Sequence, residues 1–270
     1  NVMPFLKTGD GRYDLDQWNP VFFFFLQTCL QACYERDIIV QIELWAFHDF
    51  NQKPEDPAWN DNPWNAFNNI NYDTLQTRLR RNVGHIGNAP HAFFLSVPKV
   101  NNDSLLLKYQ KRFVDKVLNI ALPYPNVLFC MTNEIHPVYS PQWGWFWSDH
   151  VRDRAAGFDL NVQCTEMYWQ VDFTHPQHNG SYQHPEKYPF FEVSQSSFQK
   201  GDDHWRHLGA AWQALGASPR PMNNVKIYGA DTAPEWSGSD RDGLERFWRC
   251  ILGGTAGCRL HRPPYGLGGS

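Results

Sequence analysis

Segments with helical periodicity alternate with short apolar segments along most of this chain of 270 residues. Apolar side chains such as Phe22, Leu26 and Cys29 recur at steps of three and four residues, which predicts a helix over Asp14–Arg36. The next segment, Asp37–Trp45, is rich in β-branched residues and is bounded by polar ones, which predicts a strand buried on both faces. Such a strand favours a parallel sheet covered by helices.

The same alternation continues toward the C-terminal end of the chain. We predict further helices at Asp103–Ile120, Pro141–Ala156, His204–Leu215 and Asp240–Leu252, and further strands at Val127–Met131, Leu160–Met167, Phe190–Ser194, Val225–Tyr228 and Thr255–His261. No repeat or Gly/Ser linker divides the sequence, so residues 1–270 are expected to form a single domain. Such an alternation can close into a barrel or lie open as a doubly wound sheet. Because no Gly-rich phosphate-binding motif follows any predicted strand, the doubly wound nucleotide-binding alternative loses its main support.

Charge and hydropathy exclude two classes of partner. The net charge is −4, from 24 basic and 28 acidic side chains, and no basic run is long enough to follow a phosphate backbone, so nucleic acid is not expected as a partner. The longest apolar run, Val21–Leu26, is far shorter than the ~20 residues that cross a bilayer, so membrane insertion is not expected. No leader-like segment precedes the first structured segment, and any targeting peptide is expected to have been removed or never to have existed.

Cysteine and histidine spacing gives no indication of a metal site. The six cysteines include no CxxC pair and lie within apolar patterns, so we predict buried free thiols rather than disulfides or metal ligands. The region His175–His184 is rich in histidine, but its spacing matches neither HExxH nor a Cys/His zinc pattern, which favours solvated loop histidines. We therefore expect neither a metal nor another cofactor.

The segment Asn126–Ile135 carries the most specific chemical signal. Its apolar strand delivers Asn133 and Glu134 at the C-terminal end, where the strands of a parallel barrel place their active sites. Here the chain resembles the clan A glycoside hydrolases, which are (β/α)8 enzymes whose fourth strand ends in Asn-Glu. The resemblance implies that Glu134 is the general acid/base and that Asn133 holds the sugar 2-hydroxyl.

The resemblance also implies a fold with defined missing parts. Aligned in this way, Asp37–Trp45 takes the place of the third barrel strand, and Met3–Leu6 falls in the loop after the second. About six strands of the (β/α)8 TIM barrel are recognisable, and the first two strands and the last helix have no candidate segment. The expectation is therefore a single (β/α)-barrel catalytic domain that is incomplete at both ends.

A glycoside hydrolase needs a second carboxylate, and the sequence leaves its identity open. The resemblance places this group as Glu on the seventh strand, whereas here that strand is followed by Asp231, with Glu235 four residues later. We favour Asp231 as the nucleophile over Glu235, with Glu166 as a third candidate. The departure from the Glu pattern also leaves open a different mechanism or a lost activity.

Aromatic and polar residues after the strand ends are typical of a sugar-binding mouth. Sugar C–H faces stack on aromatic rings, and hydroxyls pair with His, Asn and Arg side chains. The residues predicted to line the mouth are Trp45, His48, Asn133, His136, Trp169, Tyr228, His261 and Arg262. A tryptophan at a strand end is core as often as it is a binding platform, and Trp143, Trp145 and Trp147 lie on a helix, where we predict packing.

These features predict a glycoside hydrolase that cleaves a β-linked oligo- or polysaccharide by two-carboxylate, retaining chemistry, secreted or periplasmic. The alternative is a non-catalytic glycan-binding barrel or an inactive fragment of a glycosidase. A nucleotide or metal enzyme on an open sheet is a weaker third possibility.

Overall fold

A computed structural model describes residues 2–54, 57–229 and 238–261 of the chain. It divides into two compact units, Asn1–Val162 and Gln163–Ser270. Each unit is described separately below.

The first unit combines two pairs of strands with three longer helices. Its strands are β1 (Phe5–Lys7), β2 (Tyr13–Trp18), β3 (Val40–Ala46) and β4 (Val127–Asn133), and its helices are α1 (Pro20–Tyr34), α2 (Thr74–Thr77), α3 (Ser104–Ala121) and α4 (Gln142–Ala156). Three short 3-10 turns, Phe47–Phe50, Ala58–Asn60 and Ala92–Leu95, lie in the long connection between β3 and α3.

The predicted helix over Asp14–Arg36 begins too early. Residues Tyr13–Trp18 form a strand that pairs antiparallel with β1, and Tyr13 and Leu15 alternate inward with polar neighbours. Helix α1 begins only after Asn19, whose side chain accepts a hydrogen bond from the Val21 backbone N–H, and Pro20 occupies the first helical position. The Asn-Pro pair was the helix start signal that the apolar periodicity concealed.

Burial varies from residue to residue on α1 and among the cysteines. In the run of four phenylalanines on α1, Phe24 and Phe25 are 65% and 59% exposed while Phe23 is 5% exposed. All six cysteines are free thiols, as predicted, but only Cys130, Cys164 and Cys250 are buried, and Cys29 is exposed on α1. A helix that packs against the protein on one side buries only the residues of that face, and the residues of its other face remain exposed.

Strands β3 and β4 form the parallel pair that positions the candidate site. Their register runs from Val40 opposite Val127 to Ala46 opposite Asn133, so both strands end at the same level. Strands are confirmed in both predicted segments, Asp37–Trp45 and Val127–Met131, although β3 begins three residues later than predicted and the two strands end one and two residues later. The predicted burial of the first strand on both faces is wrong, because Val40–Glu43 are half-buried and Ile38 and Ile39 are 49% and 69% exposed.

An aromatic cluster fills the space between the β3/β4 pair and helices α3 and α4. Trp45 is its centre and is 3% exposed. Ring centroids of five residues lie 5.1–6.1 Å from that of Trp45, namely Trp64, Phe93, Phe113, Trp143 and Trp147. Rings at these distances contribute attraction beyond their burial. The predicted packing role of Trp143 and Trp147 is confirmed.

Replacing Asp103 with alanine is expected to destabilise the protein by about 1 kcal/mol. The Asp103 carboxylate caps α3 by accepting a 2.9 Å hydrogen bond from the Leu106 backbone N–H. Urea unfolding measures the change, and Asp103→Asn is the matched control because its amide oxygen keeps the cap. Equal loss in both variants would show that charge, not capping, carries the effect.

The second unit has shorter strands and two longer helices. Its strands are β5 (Cys164–Thr165), β6 (Phe191–Glu192), β7 (Met222–Ile227) and β8 (Gly257–Leu260), and its helices are α5 (Asn179–Tyr182), α6 (Gly201–Leu215) and α7 (Asp240–Leu252). Strand β7 lies between β6 and β8, parallel to both. The hydrophobic core of the second unit consists of Phe173, Phe191, Val193, Leu208, Ala211, Leu215, Met222, Ile227 and Cys250.

The predicted (β/α)8 barrel is wrong. The described strands form three small sheets of two or three strands, one of them the antiparallel pair β1/β2. A barrel requires continuous parallel pairing around a closed ring. Here the predicted strand Leu160–Met167 shortens to Cys164–Thr165, since Leu160 and Asn161 before it are exposed, and β6 pairs with β7 over two residues only.

Across the described ranges, no helix combines the length and apolarity that crossing a bilayer requires.

Candidate active site

The ends of β3 and β4 bring His48 and Glu134 together. Glu134 directly follows the last residue of β4, and His48 lies two residues after the end of β3, in the first turn of the 3-10 segment Phe47–Phe50. Because the two strands are parallel neighbours in register, their C-terminal ends present these side chains on the same edge. The His48 Nε2 atom lies 3.0 Å from the Glu134 Oε2 atom.

The Glu134 carboxylate is shielded but not sealed from solvent. Its side chain is 15% exposed, whereas that of His48 is 41% exposed. A carboxylate in such a position can exchange a proton with a bound molecule while its hydrogen-bond geometry is kept by the protein. The pair therefore has the composition of a proton-transfer site.

The backbone of Glu134 is held in the left-handed region, with φ of 63°. A residue with a Cβ is disfavoured there by roughly 1–2 kcal/mol, and such conformations concentrate at functional sites. The turn redirects the chain at the end of β4 and aims the side chain toward His48 rather than along the strand.

We expect Glu134→Gly to be more stable than Glu134→Ala by about 1 kcal/mol, because both variants lack the carboxylate and only glycine adopts a positive φ without strain. Chemical unfolding of the two variants side by side measures the difference. At an ordinary helical position the order is reversed. Greater stability of the alanine variant would contradict the left-handed conformation at this residue.

His136 follows Glu134 by two residues and packs against Phe47. Its ring stacks on that of Phe47, with centroids 6.1 Å apart and planes 10° from parallel. Its Nδ1 atom accepts a 3.3 Å hydrogen bond from the Val138 backbone N–H. Burial, together with the nearby charge of His85, lowers the pKa of His136, which favours the neutral ring with its proton on Nε2.

The loop that carries His85 packs directly against the His136 ring at Gly87. A Cβ on Gly87 would lie 3.1 Å from the His136 Nε2 atom and 2.9 Å from the Cε1 atom of His85. The absence of a side chain there allows the loop to approach His136 closely. Gly87 therefore brings two imidazoles from distant parts of the sequence, His85 and His136, close to one another.

The other predicted site residues of the first unit have different surroundings. Asn133 is the last residue of β4, opposite Ala46, and is half-buried. Trp45 lies in the aromatic core, and its buried indole Nε1 has no hydrogen-bond partner among the described residues, so the ring belongs to the core and not to the site. Within the described part of the chain, no group of three or more His, Cys, Asp or Glu side chains is placed to hold a metal ion.

Three predicted lining residues and one candidate carboxylate belong to the second unit. Tyr228 and His261 follow β7 and β8, and their rings meet edge to face with centroids 4.8 Å apart. Trp169 is half-buried. Glu166 directly follows β5 and is 2% exposed. Asp231, Glu235 and Arg262 lie outside the described residues.

Sequence reasoning missed three polar residues, two of them in the connection between β3 and α3 and one at the end of β6. Asn51 is 1% exposed and lies 3.3 Å from the His48 ring, and His85 comes from a loop more than thirty positions further along. Glu192 ends β6, is 3% exposed and accepts hydrogen bonds from the backbone and hydroxyl of Ser194. Loop residues carry no periodicity, so only the proximity of Asn51 to His48 in sequence gave any signal.

No protein-family model matches this chain, and a search of curated proteins finds no significant relative.

Proposed function

We propose that this protein is a glycoside hydrolase in which Glu134 transfers the proton at the glycosidic oxygen. The observation that carries the proposal is the paired placement of Glu134 and His48 at the ends of adjacent parallel strands, with 3.0 Å between Nε2 and Oε2. The Asn-Glu sequence at the end of β4 and the strained backbone of Glu134 support the same role.

In the proposed reaction, protonated Glu134 gives its proton to the glycosidic oxygen while the bond from that oxygen to the anomeric carbon breaks. The leaving sugar departs as an alcohol, and the anomeric carbon is taken by a carboxylate nucleophile in a retaining reaction. The ionised Glu134 then removes a proton from water as the water attacks the anomeric carbon and releases the nucleophile.

The nucleophile is proposed among the three carboxylates that the sequence offers. Asp231 is favoured over Glu235 because it follows β7 more closely, and Glu166 follows β5. Substituting each of them separately by its amide identifies the nucleophile as the variant in which product release is lost.

The substrate class is proposed to be a β-linked oligo- or polysaccharide. Half-buried rings with polar edges, such as His136 on the first unit and Trp169 and Tyr228 on the second, suit the apolar faces and hydroxyls of sugar rings. No nucleic acid and no resident cofactor enter the proposal, and a secreted or periplasmic location would give such an enzyme access to polysaccharide.

Glycan binding without hydrolysis is the second candidate function. The small sheets of the described chain favour it, because the fold departs from the closed barrel of the enzymes with the Asn-Glu motif. Incubating the protein with a panel of β-linked polysaccharides and separating the soluble products distinguishes the two. Released oligosaccharides support hydrolysis, whereas retention of the protein on a polysaccharide without any products would replace hydrolysis by binding.

A further inference from the structure

We propose that Asn51 is a positioning residue that fixes the tautomer of His48 and thereby commits the Oε2 atom of Glu134 to accepting a hydrogen bond. The inference deepens the proposed function, since its catalytic meaning rests on Glu134 as the proton-transfer group. The tautomer itself is a property of the free protein and is testable without any substrate.

The orientation of the Asn51 amide follows from its neighbours. The Ile86 backbone N–H points at one side-chain atom of Asn51 from 3.2 Å, and only the carbonyl oxygen can accept this bond. The amide oxygen must therefore face Ile86. The NH2 group then faces the Nδ1 atom of His48, 3.3 Å away.

The tautomer of His48 follows from the orientation of that amide. An NH2 group donates and cannot accept, so the His48 Nδ1 atom accepts and carries no proton. A neutral imidazole holds its single proton on the other nitrogen. The proton on Nε2 points at the Glu134 Oε2 atom, 3.0 Å away, and His48 is the donor of that hydrogen bond.

The tautomer of His48 gives the two carboxyl oxygens of Glu134 different roles. Oε2 accepts from His48 whether the carboxyl group is ionised or protonated, because a carbonyl oxygen accepts as well as a carboxylate oxygen. The transferable proton is then carried by Oε1. Without Asn51, the opposite tautomer would place a lone pair of His48 against Oε2 and draw the proton there.

Hydrogen bonds hold both Asn51 and Ile86, the two residues on which the orientation of the Asn51 amide depends. Its backbone N–H donates to the His48 carbonyl at 3.0 Å, and its own carbonyl accepts from the Trp59 N–H at 2.8 Å. On the other side, the Ile86 carbonyl accepts a 3.3 Å hydrogen bond from the Tyr139 hydroxyl. Asn51 and Ile86 are each 1% exposed, so water does not compete for these groups.

Long-range 1H–15N correlation spectra of the full-length protein test the assignment directly. The spectra are recorded at about pH 8.5, where model imidazoles are neutral and the correlation pattern distinguishes the two tautomers. The His48 signals among the 11 histidines are identified by their loss in His48→Gln. We expect an unprotonated Nδ1 and a protonated Nε2. A protonated Nδ1 in the unmodified protein would overturn the proposal, with no variant required.

The substitution Asn51→Asp adds a second test. The introduced carboxylate still accepts from the Ile86 N–H, but its other oxygen accepts rather than donates, so we expect the His48 Nδ1 atom to gain a proton. Asn69→Asp is the matched control, because Asn69 is also buried, at 2% exposure, and donates to the carbonyls of Pro63 and Asn65 instead of to His48. An unchanged Nδ1 signal in Asn51→Asp, in a folded variant, would contradict the role of Asn51.

The two proposals fail separately. If His48 has the expected tautomer but the protein releases no product from any glycan, the role of Asn51 stands and the hydrolase proposal is wrong. If the protein hydrolyses a glycan but His48 carries its proton on Nδ1, the hydrolase proposal stands and the role of Asn51 is wrong.

Discussion

Glu134→Gln is expected to reduce kcat/KM for an unactivated β-linked glycan by about 10²–10⁴-fold. Glutamine has almost the same shape as glutamate, and its amide oxygen still accepts the hydrogen bond that His48 Nε2 makes to the side chain. An amide has no acidic proton to give to the glycosidic oxygen. The initial rate of reducing-sugar release measures the loss.

The control for this variant is Glu35→Gln, which makes the same chemical change at the exposed C-terminal end of α1. There the carboxylate accepts a 2.8 Å hydrogen bond from the Gln31 side chain, and Glu35 precedes the N-terminal end of β3, whereas His48 follows its C-terminal end. Glycan binding by Glu134→Gln should persist, as measured by retention on polysaccharide. Unchanged turnover in Glu134→Gln would refute Glu134 as the proton-transfer group.

Trp143→Ala is expected to lower the free energy of unfolding by about 3–5 kcal/mol. The indole is 1% exposed, its ring lies within 6.1 Å of those of Trp45, Phe93 and Trp147, and its Nε1 atom donates a 3.0 Å hydrogen bond to the Thr132 hydroxyl. The truncation leaves a cavity in the aromatic cluster and removes the hydrogen bond that the indole donates to the Thr132 hydroxyl.

Urea unfolding measures this change against Trp248→Ala, which removes a tryptophan that is 57% exposed. The control should stay within about 0.5 kcal/mol of the unmodified protein. A similar small effect in both variants would contradict the central place of Trp143 in the core. The larger loss expected for Trp143→Ala would agree with the packing role that helical spacing predicts for Trp143.

Long periodic helices were the most predictable part of the fold. Helix α7 has the predicted bounds, Asp240–Leu252, α4 begins one residue later than predicted, and α3 is shifted by one residue at both ends. In each of them apolar residues recur over several turns, and in α3 and α7 a capping residue, Asp103 or Ser239, marks the start. Local chemistry alone fixes elements of this kind.

The sequence could not predict whether the strands close into a barrel, because strand pairing depends on partners that the local sequence does not specify. The apolar segments around Cys164 and Phe191 looked like barrel strands, yet each forms only two residues of strand. At the other end of the chain, residues 14–18 of β2 were assigned to a helix because of the stronger periodicity that follows them. Alternation over so few residues is a weak signal.

The candidate site was predicted in part. Asn133, Glu134, His48 and His136 follow strand ends that the sequence identifies, and a polar residue at such a position is a signal in itself. Asn51, His85 and Gly87 lie in the long connection between β3 and α3, where the sequence has no period and the contacts span up to 49 positions, from Gly87 to His136. Only the folded chain reveals that they meet.

The dependence of catalysis on the leaving group tests the proposal most directly. Aryl β-glycosides with progressively more acidic phenols, built on the sugar that the polysaccharide panel identifies, need progressively less protonation as they depart. The account predicts that the ratio of kcat/KM between the unmodified protein and Glu134→Gln is largest for the least acidic phenol and falls toward one for the most acidic. A ratio that stays constant across the series would mean that residue 134 delivers no proton to the departing oxygen.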